Sequence, residues 1–90
     1  MLKKQFFVYG IVQGVGFRYF TWREAVKIGV KGYVCNRQDG SVEVVAFGSE
    51  QQLKQLYHWL KQGPKTARVE YVSEQDYITD SEFQDFSLRY

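Results

Sequence analysis

From Phe6 to Val12 hydrophobic residues occupy both faces of an alternating pattern. Phe7, Tyr9 and Ile11 point one way, and Phe6, Val8 and Val12 the other. Apolar positions on both faces predict a strand in the interior of a sheet. Gly10 inside it marks a close backbone approach. After the stretch Gln13-Gly14-Val15-Gly16-Phe17-Arg18 the period changes: Phe17, Thr21, Ala25 and Ile28 recur at helical spacing, and Gly29 supplies a stop. Tyr33 to Asn36 and Ser41 to Phe47 return to a strand pattern, with Asp39-Gly40 as the hairpin turn between them. Ser49 and Gln52 form a capping box, followed by the helical stripe Leu53, Leu56, Tyr57 and Leu60. Gly63-Pro64 ends that helix. Val69 and Tyr71, with Ala67, predict a fourth strand, and Phe86, Leu88 and Tyr90 a short last one.

The order is β-α-β-β-α-β with an additional C-terminal strand. Right-handed crossovers lay both helices on one face of a mostly antiparallel sheet. This predicts an α+β, ferredoxin-like sandwich, an architecture that leaves function open.

Ninety residues suit a single domain over 1–90, and 44% hydrophobic residues supply a core without disulfides. Cys35 is the only cysteine, so no intrachain disulfide can form, and one His with one Cys is too few soft ligands for a structural zinc site. The formal net charge of +2 is too mild to argue for nucleic acid or a membrane surface, though it fits an anionic substrate. No stretch is long enough to span a bilayer, and no signal-type apolar run follows Met1-Leu2-Lys3-Lys4. A monomer in the cytoplasm is the expectation.

Chemistry concentrates before the first helix. Glycines at 14 and 16 let several backbone N–H groups converge, and the helix start adds its positive dipole end. Arg18 can return to the same concavity and offer a planar fork of donors to two phosphate oxygens. The spacing is neither a Walker A loop nor a dinucleotide fingerprint. On local sequence alone, glycines between strand and helix also serve purely steric ends, and an Arg in a first turn is ordinarily solvated. Asn36 stands just before the Asp39-Gly40 turn. Its amide can donate and accept at once and so hold a water, but Asn also commonly opens a hairpin loop.

At these residues the sequence resembles the acylphosphatase family. Val8-Tyr9-Gly10-Ile11-Val12-Gln13-Gly14-Val15-Gly16-Phe17-Arg18 is similar to the first family signature, V-x-G-x-V-Q-G-V-G-F-R. Gly32-Tyr33-Val34-Cys35-Asn36-Arg37-Gln38-Asp39-Gly40-Ser41-Val42-Glu43 is similar to the second, G-W/Y-V-x-N-x-x-D-G-x-V-E. Trp59-Leu60, Gly63-Pro64 and Ala67-Arg68-Val69 extend the likeness over nearly the whole chain. Cys35 departs from the residue found there in many members and leaves the signature intact.

The resemblance implies a ferredoxin-like enzyme that hydrolyses the carboxyl-phosphate bond of acyl phosphates without metal, cofactor or phosphoenzyme. It maps the phosphate-binding arginine onto Arg18 and the water-orienting asparagine onto Asn36. The backbone amides of Gly14, Val15, Gly16, Phe17 and Arg18 would complete the cradle, with inorganic phosphate as product and inhibitor. His58, one residue off the apolar stripe, is expected at the surface and outside the chemistry. The same fold class also serves as an RNA platform, for which Phe7, Tyr9, Tyr33 and Phe47 would be the surface, and acylphosphatase-like domains also occur in larger carbamoyl-phosphate-processing proteins. Val42 to Phe47 lacks the RNA-recognition signature, and the chain ending in its last strand favours a standalone enzyme.

Overall fold

A computed structural model describes residues 1–90. Its elements run β1 (Leu2–Ile11), α1 (Phe17–Ile28), β2 (Lys31–Asn36), β3 (Val42–Gly48), α2 (Glu50–Gln62), β4 (Arg68–Asp76) and β5 (Phe86–Leu88). The five strands form one sheet in the order β4-β1-β3-β2-β5. β1 pairs antiparallel with β3 and β4, β2 antiparallel with β3, and β5 parallel with β2. The two-faced apolar pattern of β1 thus belongs to a strand flanked on both sides. At Gly10 the β1–β4 register shifts, and a Cβ there would collide with the Arg68 carbonyl oxygen.

Both helices pack on one face. Phe6, Val8, Val34, Val44 and Ala46 from the sheet meet Phe17 and Ala25 of α1 and Leu53, Leu56 and Leu60 of α2 in one core. Each large side chain buried there stabilises the fold by roughly 1.5–3 kcal/mol. The Ser49–Gln52 capping box forms in both directions, at 3.1 and 2.9 Å. Gly29 and Gly63 close the two helices as the sequence predicts.

On the opposite face Tyr33, Val45 and Phe47 form a second cluster under Tyr77 and Phe83. Phe83 lies with its ring centroid 5.8 Å from that of Tyr33 and 4.9 Å from that of Phe47. Tyr33 is 8% and Phe47 3% exposed, so neither is free to stack on a base. β4 is longer than its apolar residues predict. Its polar end, Ser73 to Asp76, is held by main-chain pairing to β1 and by Lys4–Asp76 at 2.8 Å, neither of which leaves a hydrophobic pattern.

Candidate active site

β1 and β2 run parallel, so the loop leaving β1 and the end of β2 arrive at the same edge of the sheet. There a cleft of about 280 Å³ is lined by Val12, Gly14, Gly16, Phe17, Arg18, Tyr19, Asn36, Leu88 and Tyr90. Arg18 and Asn36, 18 residues apart in the sequence, therefore share one concavity.

The start of α1 contrasts with that of α2. α2 has a full capping box and an acidic residue, Glu50, in its first turn. α1 begins at Gly16, in the left-handed region at φ 81°, with no side-chain cap and no acidic residue in its first turn. Gly14 is likewise at φ 74°, a conformation that other residues adopt only with strain. The first turn-type bond of α1 is Phe20 N–H to the Gly16 carbonyl at 3.1 Å. None of the amides of Gly14, Val15, Gly16, Phe17 or Arg18 donates to a main-chain acceptor in the turns, loops and caps. A positive helix end bearing a further positive charge, with its donors unspent, has the electrostatics and the donors to receive an anion.

Val15 differs from its neighbours. Its side chain packs against the core, it does not line the cleft, and its carbonyl accepts from Thr66 Oγ1 at 2.7 Å. In a trans peptide the C=O and the following N–H point in opposite directions, so this bond leaves the Gly16 amide facing away from Thr66.

Arg18 forms no ion pair with a carboxylate; the molecule's three salt bridges lie elsewhere. Its Nη1 donates to the Arg89 carbonyl at 2.7 Å, and its guanidinium carbon lies 4.7 Å from the centroid of the Tyr90 ring. The charge is thus held from one side and left uncompensated. Asn36 ends β2, and its Oδ1 is buried with no hydrogen-bond partner. Thr21 Oγ1, outside the cleft, is likewise buried and unpartnered, so the feature that bears on the cleft is the other end of the amide: Asn36 lines the cleft, and its Nδ2 is not among the buried unpartnered atoms.

Gln13, which the sequence places in the signature without a role, connects the two halves. Its Nε2 donates to the carbonyls of Arg37 at 2.7 Å and Ser41 at 2.8 Å. Asp39 shapes the same hairpin by accepting from the Ser41 amide at 3.0 Å, and the Ser41 hydroxyl holds its carboxyl below the usual range. No spacing rule would have assigned the two Gln13 links, because they join a side chain to main-chain carbonyls of a distant segment; the Asp39–Ser41 bond is local turn chemistry.

Cys35 precedes Asn36 and so faces the other side of the sheet. Its Sγ donates to Glu43 Oε1 at 3.4 Å, and burial, then Glu43, push the thiol up from its ordinary value. His58 is exposed on α2, as expected, away from the cleft. No group of three or more His, Cys, Asp or Glu side chains is arranged to hold a metal.

The sequence matches the family model for acylphosphatase over residues 4–88. A relative from Pasteurella multocida (strain Pm70) named Acylphosphatase is 71% identical over 90 residues, covering 100% of both chains. The crystal structure of acylphosphatase from Bacillus subtilis is 39% identical, with a TM-score of 0.94 and 100% of both chains covered. The T. kodakarensis HypF structure is 31% identical with a TM-score of 0.87, and the match covers 98% of this chain but 12% of that one.

Proposed function

The chain belongs to the acylphosphatase family and hydrolyses acyl phosphates to a carboxylate and inorganic phosphate; we propose that Arg18 and the 14–18 loop hold the phosphoryl group while Asn36 orients the attacking water. The observation that carries this reading is the pairing, across one cleft, of an uncapped helix start bearing Arg18 with the side chain of Asn36.

An acyl phosphate has a good leaving group in its carboxylate. The protein's task is therefore charge stabilisation and positioning. Arg18 and the amides of Gly14, Val15, Gly16, Phe17 and Arg18 take the phosphoryl oxygens, whose charge spreads in the transition state. Water held by the Asn36 amide forms the new P–O bond as the bond to the acyl oxygen breaks. The water's proton passes to a phosphoryl oxygen, so no side-chain base is needed. Inorganic phosphate, which presents the same oxygens, is product and competitive inhibitor.

One chain supplies every group of this site, which fits a monomer. The free, half-buried Cys35 thiol fits a reducing compartment such as the cytoplasm. No helix is long and apolar enough to cross a membrane.

The test is hydrolysis of benzoyl phosphate by the wild type, Arg18→Ala and Asn36→Ala. Wild-type turnover with loss in both variants is expected. A wild-type rate in either variant would remove that residue from the mechanism.

A further inference from the structure

We propose that Gln13 is a positioning residue for the hydrolysis: it clamps the β2–β3 hairpin to the phosphate loop and so sets where Asn36 stands relative to the phosphorus. The inference rests on the roles given above to Arg18 and Asn36.

Gln13 immediately precedes Gly14, and its Nε2 uses both hydrogens, one on the Arg37 carbonyl at 2.7 Å and one on the Ser41 carbonyl at 2.8 Å. These carbonyls flank the outermost rung of the hairpin, where Arg37 N–H meets the Ser41 carbonyl at 2.8 Å. The next rung inward pairs Asn36 with Val42. The strand pairing of β1 with β3 stops at Val8–Val42, well short of the loop. Among turn, loop and side-chain hydrogen bonds, the two from Gln13 are the only ones joining residues 13–18 to residues 36–41.

Neither carbonyl depends on Gln13 for its only partner. The Ser41 carbonyl also accepts from Arg37 N–H, and the Arg37 carbonyl from Gly40 N–H at 3.3 Å. The hairpin therefore closes by itself, and what the clamp adds is the spacing between two separately folded pieces. In-line attack is sensitive to that spacing: a misplacement of about 1 Å can cost roughly a hundredfold in rate.

The experiment compares Gln13→Met, which keeps length without donors, and Gln13→Glu, which presents acceptors to both carbonyls. Each is made in the wild type and in Asn36→Ala. Two variants are used so that failure of one to fold does not decide the outcome. With benzoyl phosphate, kcat is expected to fall roughly ten- to hundredfold in the wild-type background, while the inhibition constant for inorganic phosphate shifts less than about threefold. In the Asn36→Ala background the same substitutions should cost less than about twofold, because the residue they position is gone. Equal losses in both backgrounds, an unchanged kcat, or an inhibition constant rising in step with the kcat loss would each overturn the proposal. If Asn36→Ala alone keeps the wild-type rate, the Asn36 role falls and the Gln13 role with it. If Asn36→Ala is crippled but the losses add, the Gln13 role alone falls.

Discussion

Arg18 and Arg89, separated by 71 positions, meet at the mouth of the cleft, where Nη1 of the first donates to the carbonyl of the second at 2.7 Å. A guanidinium carries five donors in a fixed fork. One edge can hold the C-terminal segment while another grips two phosphate oxygens. A lysine has the charge without the fork.

Arg18→Lys is therefore expected to fail as a substitute. Arg18→Ala should lose on the order of 3 kcal/mol or more of transition-state stabilisation, about a hundredfold or worse in kcat/KM. Arg18→Lys should recover only a small part of that. Tyr90→Ala should do far less, because the residue is 98% exposed although its ring stands against the guanidinium. A rise in KM of roughly two- to fivefold is expected, in line with an exposed cation–π contact of about 0.5–1 kcal/mol. Steady-state kinetics with benzoyl phosphate read all three, and a near-normal kcat/KM for Arg18→Lys would contradict the two-edged role.

Asn36→Ala should separate function from stability. The Oδ1 atom is buried and has no partner in the protein, so the fold gains nothing from it. Turnover should collapse while the thermal midpoint stays level or rises, and phosphate affinity should hold. A clear fall in the thermal midpoint together with lost phosphate binding would mean that Asn36 supports the cleft itself.

Inorganic phosphate should stabilise the protein through the cradle. A ligand that binds only the folded state adds RT ln(1 + [L]/Kd), about 1.4 kcal/mol at tenfold excess over Kd. The thermal midpoint of the wild type should rise with phosphate, and that of Arg18→Ala should barely move. The same shift in both would place phosphate outside the Arg18 cleft. EDTA should change neither this shift nor the rate of hydrolysis; a rate that EDTA abolishes would contradict the metal-free reading.

The legible parts of this molecule are those written in periodicity and in local chemistry. The stripe Leu53, Leu56 and Leu60, the Ser49–Gln52 box and the Asp39-Gly40 turn stand in the structure where the pattern puts them, whereas β1 runs Leu2–Ile11 and so begins before the alternation that starts at Phe6. The surroundings of Arg18, a glycine loop opening a helix, point to it from sequence alone. Local sequence does not single out Asn36, since its place beside Arg18 in the cleft exists only once β1 and β2 are packed in one sheet. The polar half of β4 and the contacts of Gln13 and Thr66 escaped for a related reason. They depend on main-chain atoms of distant segments, which no side-chain pattern encodes.

The sheet face turned away from the helices should set the alkaline limit of stability. Tyr33 and Cys35 both lie there. Burial raises the tyrosine from its ordinary 10.0, with the Tyr77 hydroxyl next in effect and Glu43 adding to it. Burial and Glu43 raise the thiol from its ordinary 9.0. Gln5 Nε2 donates to Glu43 Oε2 at 2.7 Å and keeps that carboxylate in place beside the thiol. Both groups are therefore neutral in the folded chain at pH values where the unfolded chain has ionised them. A group with a raised folded value contributes its full stability below its unfolded value, and that contribution is lost as pH climbs through the folded one. The thermal midpoint should hold near neutrality and decline from about pH 9 upward, where unfolded thiols begin to ionise. Cys35→Ala should remove the first part of that decline and Tyr33→Phe the later part. Iodoacetamide should label Cys35 slowly near pH 8 and faster as pH rises, since only the thiolate reacts. A midpoint that stays flat through the alkaline range in the wild type, or a slope untouched by both substitutions, would show that neither group governs it.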